Sequence, residues 1–128
     1  MKPLTKEWVR KADGDFATAQ PELRARRAPN YDAACFHAQQ CAEKYLKALL
    51  QEKEIEFGKT HNLTALLDMV IDPFPLLESI RPALHMLNSF AVDFRYPGEN
   101  ADKELAARAV KLCMLVRREL RASLRIKS

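Results

Sequence analysis

FHAQQCAEKYLKALL, residues 36–50, decides the fold, because it is strongly helix-forming and yet threads glutamine, glutamate and lysine through apolar positions. At 100° per residue, Ala34, Ala38, Cys41, Ala42, Tyr45, Leu46, Ala48 and Leu49 share one wide arc, which is expected to be core. The opposite side carries His37, Gln40, Lys44 and Lys47, with Gln39 and Glu43 at its border. Phe36 and Leu50 project among them and are expected to form a second contact surface.

The same three-to-four-residue period dominates outward in both directions. With only three glycines and no sustained apolar alternation, the chain is expected to be all-α, an antiparallel up-and-down four-helix bundle with an additional short helix. A first helix is expected from a Thr5 cap to about Gln20, where Pro21 should break or kink it, although ELRAR can add a turn. The second is expected from Asn30 or Asp32 to about Lys53, and a short third from an Asn62 cap through Leu63, Leu66, Leu67 and Val70. The fourth is expected from about Leu76 to Phe94, tolerating or bending at Pro82, with Ile80, Leu84, Leu87, Phe90, Ala91 and Phe94 as core. The fifth should run from about Ala101 to Leu124, capped by Asn100 or Asp102, with a seam of Leu105, Ala109, Leu112, Val116 and Leu120.

At 128 residues and 48% hydrophobic content, one domain covering 1–128 suffices to bury a core. No apolar run approaches the roughly 20 residues of a membrane span, and the N-terminus lacks an apolar signal-peptide centre. A cytoplasmic protein without membrane contact is therefore expected. Cys35, Cys41 and Cys113 show neither CxxC nor zinc spacing and read as small buried hydrophobes. His37, His61 and His85 form no paired ligand motif, so neither a metal nor a cofactor is expected. FGKT fails as a phosphate-binding loop, since the pattern needs glycine where Lys53 stands and a strand before the loop. The serines lack a nucleophile-elbow motif.

Two polar sets remain as candidate binding groups. Arg81, His85, Asn88 and Arg95 line one flank of the fourth helix, supplying a guanidinium fork, a titratable donor and an amide, which suits a phosphate or a base. The set on the second helix is Gln39, Gln40, Glu43 and Lys47. Residues 103–128 hold eight Lys/Arg against two Glu, a balance of +6 in a chain whose total is +4. Lys111, Arg118 and Arg125 recur every seven residues with Arg121 beside them, a basic ridge compatible with a phosphate-bearing partner.

Three segments, in order, resemble the HEPN domain family. AACFHAQQCAEKYLKALL (residues 33–50) resembles its second-helix signature, and Thr60-His61-Asn62-Leu63 its next helix start. Leu87-Asn88 followed by Phe94-Arg95-Tyr96-Pro97 resembles a third segment, so that the likeness spans roughly residues 5–125. The resemblance implies a four- to five-helix bundle, commonly a homodimer, in the company of small nucleotidyltransferase-like proteins. Many such members are toxins of toxin–antitoxin pairs that cut RNA with an arginine followed, after four to six residues, by a histidine. Arg95 matches that arginine, but Asn100, Ala101 and Asp102 stand where the histidine belongs. Metal-free RNA cleavage needs a proton shuttle near neutral pH, usually histidine. The expectation is therefore a non-catalytic module binding a nucleotide, a nucleic-acid phosphate or a nucleotidyltransferase-like partner. The alternatives are an RNase with a non-standard site, such as His85 acting across a dimer, and a purely structural dimerising bundle.

Overall fold

The computed structural model describes residues 1–27, 29–93, 98 and 100–127. Its elements are α1 (Pro3–Arg24), α2 (Tyr31–Glu52), α3 (Leu63–Val70), a short 3-10 helix (Pro75–Ile80), α4 (Arg81–Asp93) and α5 (Lys103–Ser123). No strand occurs among the described residues, and the fold is the expected all-helical bundle.

Three helix starts follow from short polar side chains that satisfy otherwise orphaned N–H groups. Asn30 Oδ1 accepts from Ala33 N at 2.9 Å, Asn62 Oδ1 from Ala65 N at 3.1 Å, and Asp102 Oδ1 from Leu105 N at 2.8 Å. The first helix departs from expectation at both ends. It starts at Pro3, whose missing N–H costs nothing in a first turn, and Thr5 is buried inside it instead of capping it. It also continues through Pro21 to Arg24, which lets Leu23 reach the core.

The expected fourth helix is divided. A 3-10 turn occupies residues 75–80, and α4 starts at Arg81, so Pro82 falls in the first turn and needs no bend. Ile80, Leu84, Leu87 and Phe90 are buried as expected; Phe94 and the side chain of Ala91 lie outside the described residues.

The second helix is the axis of the bundle, with α1, α3, α4 and α5 all packed on it. Its expected core arc, from Ala34 to Leu49, is buried throughout. The opposite side corrects the sequence reading: Gln39, Glu43, Lys47 and Leu50 are buried too, and of the expected second contact surface only Phe36 remains exposed. A helical period tells which residues share a face but not how many neighbours cover the helix, and here several do.

The buried seam of α5 also differs from expectation. Ala106, Ala109, Cys113, Val116 and Leu120 face inward, while Leu105 and Leu112 are half-buried on its flank. Small residues at 106, 109 and 113 let α5 approach α2 closely, and the Cys113 thiol meets that of Cys41. All three cysteines are free and buried. Burial, followed by the carboxylates of Asp32 and Asp102, pushes the Cys35 thiol up to about 11. The contact with Cys113 and then burial hold the Cys41 thiol well above the ordinary range.

Candidate functional site

The polar groups of α2 enclose a carboxylate. Glu43 Oε2 accepts from Lys47 Nζ at 3.1 Å and pairs with His61 Nδ1 at 3.1 Å. Glu43 Oε1 accepts from Gln39 Nε2 at 3.4 Å, and Gln40 Nε2 donates to Gln39 Oε1 at 2.7 Å. The Lys47 ammonium also lies 5.7 Å from the ring centres of both Trp8 and Phe57. Two charges so deeply buried persist because each is paired and hydrogen-bonded. The His61 imidazole, with 76% of its side chain accessible, and the partly exposed Gln40 carry this network to the surface.

The next residue joins the network to α4. Asn88 Oδ1 accepts from Leu63 N at 2.8 Å while Asn88 Nδ2 donates to Asn62 Oδ1 at 3.1 Å, so Asn62 and Asn88 together cap α3. The residue sets read separately on the second and fourth helices therefore meet through Thr60-His61-Asn62. Arg81 is committed elsewhere, to Asp68 Oδ1 at 2.7 Å and to both oxygens of Glu78. Those contacts, Glu78 first, raise the Arg81 guanidinium further above its ordinary range, and Arg81 holds the Glu78 carboxyl below its own. His85 is exposed and lines a shallow cleft with Thr64, Glu78, Arg81 and Pro82. Arg95 lies outside the described residues.

The cations of α5 sort into two sets. Lys111 and Arg118 are exposed on the helix and Arg125 is exposed just beyond its end, where a left-handed backbone (φ 61°) takes it off the expected seven-residue ridge, whereas Arg121 turns inward to Asp13 Oδ2 at 3.5 Å, to the Tyr45 hydroxyl at 3.0 Å and to the Lys127 carbonyl. Arg121 thus leaves the ridge on which its spacing placed it, because α1 presents a carboxylate at that height. Arg117 Nε also reaches Asp13, at 3.1 Å, and its guanidinium lies over the Phe16 ring at 4.8 Å. The Tyr45 hydroxyl donates to Asp13, and burial followed by that contact pushes it up to about 12. Two residues on, Asp15 accepts from Lys44 Nζ at 2.6 Å and pairs with His37 Nδ1 at 2.7 Å. Sequence reasoning passed over Asp13 and Asp15. Their signal was two carboxylates set inside an otherwise apolar helical stripe, where a solvated face was not required.

Among the described residues no three histidine, cysteine or acidic side chains gather to hold a metal ion, and no helix is long and apolar enough to cross a membrane. What the chain offers is a helical bundle with a buried polar network, an exposed histidine on either side of the α3 start, and exposed cations along and just beyond α5. The model of the HEPN domain matches residues 5–122, and the chain belongs to that family. The family comprises nucleotide-binding and RNase-type modules, and its domains often dimerise.

Two crystal structures share the fold. An archaeal HEPN homologue superimposes with a TM-score of 0.77 at 24% identity, over 96% of this chain and 98% of its own. A protein from Thermus thermophilus does so with 0.78, also at 24% identity, over 92% of this chain and 96% of its own. No curated protein matches the chain.

Proposed function

We propose that the chain is a non-catalytic HEPN-type binding module that takes the phosphates of a nucleotide or of RNA. In this reading it works as a homodimer beside a small nucleotidyltransferase-like partner, as in toxin–antitoxin pairs. The observation that carries the ligand class is the sorting of cations on α5. Lys111 and Arg125 stand exposed with no ion pair among the described residues, and Arg118 has only its neighbour Glu119 at 3.7 Å, while Arg117 and Arg121 are taken up by Asp13. Exposed, unneutralised cations on one helix face, Lys111 and Arg118, with Arg125 just past the helix end, suit a polyanion. At the other candidate site, Arg81 and Asn88 are already bonded within the chain, so an anion there would meet His85 first.

The positions that would have to supply the histidine after Arg95 also support a non-catalytic reading. The Ala101 N–H donates to Asp32 Oδ1 at 2.6 Å, and the Asp102 side chain caps α5. Both serve the fold, and neither offers a proton shuttle.

Calorimetric titration with ATP, GTP and a short single-stranded RNA tests the binding. Binding should weaken about tenfold in an Arg118→Glu/Arg125→Glu double variant, and the slope of log affinity against log salt should fall by about one for each lost phosphate contact. No heat with any of the three at high micromolar concentration would end the phosphate reading. Because His85 is exposed, an RNase reading has a separate test in cleavage of total RNA. Purified protein should leave the RNA intact, and cleavage abolished by His85→Ala would replace the present proposal with an enzyme.

A further inference from the structure

We propose that the groove between α1 and α5 is a docking site for an amphipathic helix of a partner protein, one that carries Asp or Glu beside leucine-sized side chains. The groove, of about 600 Å³, is floored by Leu23, Val110 and Met114 and edged by Arg24, Arg108 and Lys111, with Glu104 as the lone carboxylate at one end. Met114 is 49% exposed, a large apolar side chain left uncovered among cations. No aromatic residue lines the groove, so it offers no platform on which a base would stack, and this favours a peptide over a nucleotide.

The dimensions agree. From Glu104 to Met114, α5 rises about 15 Å, close to three helical turns, and a helix in a groove reads anchors at i, i+3 or i+4, and i+7 over that length. Methionine and leucine form an adaptable floor for such anchors. The three cations on the edge select acidic flanks and disfavour basic ones, and among the described residues Arg108 is held by no more than a weak contact from Nη2 to the Met86 sulfur at 3.6 Å. This site goes beyond the phosphate-binding face. The two share Lys111, but Arg118 and Arg125 do not line the groove.

The test uses the full chain and a fluorescein-labelled helical peptide of about 14 residues, roughly four turns, with leucines at spacings of three and four and glutamates between them. Fluorescence anisotropy should show micromolar binding that weakens with salt, and about tenfold loss with Arg108→Glu or Met114→Glu. These side chains are exposed, so the variants should melt with the wild type; Lys111→Gln, a milder change, should show a smaller loss in the same direction. A peptide with glutamine in place of every glutamate should bind at least tenfold more weakly.

The proposal is overturned by equal binding of the glutamine peptide, by no binding at high micromolar concentration, or by full displacement with oligouridylate, which would make the groove part of the nucleic-acid surface. A drop in sedimenting mass on Met114→Glu would also overturn it, since the occupant would then be a second copy of the chain. Peptide binding by a wild-type chain that binds no RNA would be a failure of the phosphate reading alone, RNA binding without peptide binding a failure of this proposal alone, and loss of RNA binding in Arg118→Glu/Arg125→Glu with the peptide still bound would support two separate sites.

Discussion

α2 and α5 are nearly equal in length and both carry charge along much of that length, yet they use it in opposite ways. On α2, Glu43 and Lys47 face inward and neutralise one another beneath Trp8 and Phe57. On α5, Lys111 and Arg118 face outward, with Arg125 exposed just past the helix end, and the two arginines opposite Asp13 are drawn in. Charge in the axial helix therefore serves the integrity of the bundle, while charge in the peripheral helix remains available for a ligand.

Substitutions should expose this difference in graded steps. The largest effect is expected for Glu43→Ala, which strands the Lys47 ammonium in the interior and should cost about 3–5 kcal/mol in a urea melt, against less than about 0.5 kcal/mol for Lys111→Ala. An equal effect of the two would remove the contrast. Asp13→Ala should follow at about 2–3 kcal/mol, because two partly buried guanidinium groups lose their carboxylate. Asn88→Ala should cost about 1–2 kcal/mol and act through α3, seen as faster amide exchange at Leu63.

Among the buried polar groups Tyr45→Phe should have the smallest effect at neutral pH, less than about 1 kcal/mol, and reveal itself in alkali. The Tyr45 hydroxyl is raised from 10.0 to about 12 in the folded chain, so its proton is held more tightly there than in the unfolded chain. The stability it contributes is complete below about pH 10 and is lost as the pH climbs towards 12, with a slope that Tyr45→Phe should flatten.

Much of the bundle was legible because its signals are local. Asn30, Asn62 and Asp102 cap as their positions relative to the apolar stripes require, and the arc from Ala34 to Leu49 needs only the 3.6-residue period. What was not legible depends on neighbours. Leu50, Gln39, Glu43 and Lys47 sit opposite the expected core arc of α2, and nothing within that helix announces that α1, Phe57 and His61 close over them. Arg121 and Lys111 look alike in a heptad, and only Asp13, more than a hundred residues away in the chain, separates them. The candidate site was legible in composition, as a basic C-terminal segment, but the groove needs α1 and α5 side by side. Neither Leu23 nor Met114 stands out alone.

The three sealed thiols give the molecule an internal gauge of its own opening. Because they are buried between α2 and its neighbours and those of Cys35 and Cys41 resist deprotonation, a water-soluble disulfide reagent should find almost no target in the native state. Colour from such a reagent would then appear at the rate at which α2 and α5 part, so that a simple absorbance trace times the breathing of the bundle and reports any ligand that slows it.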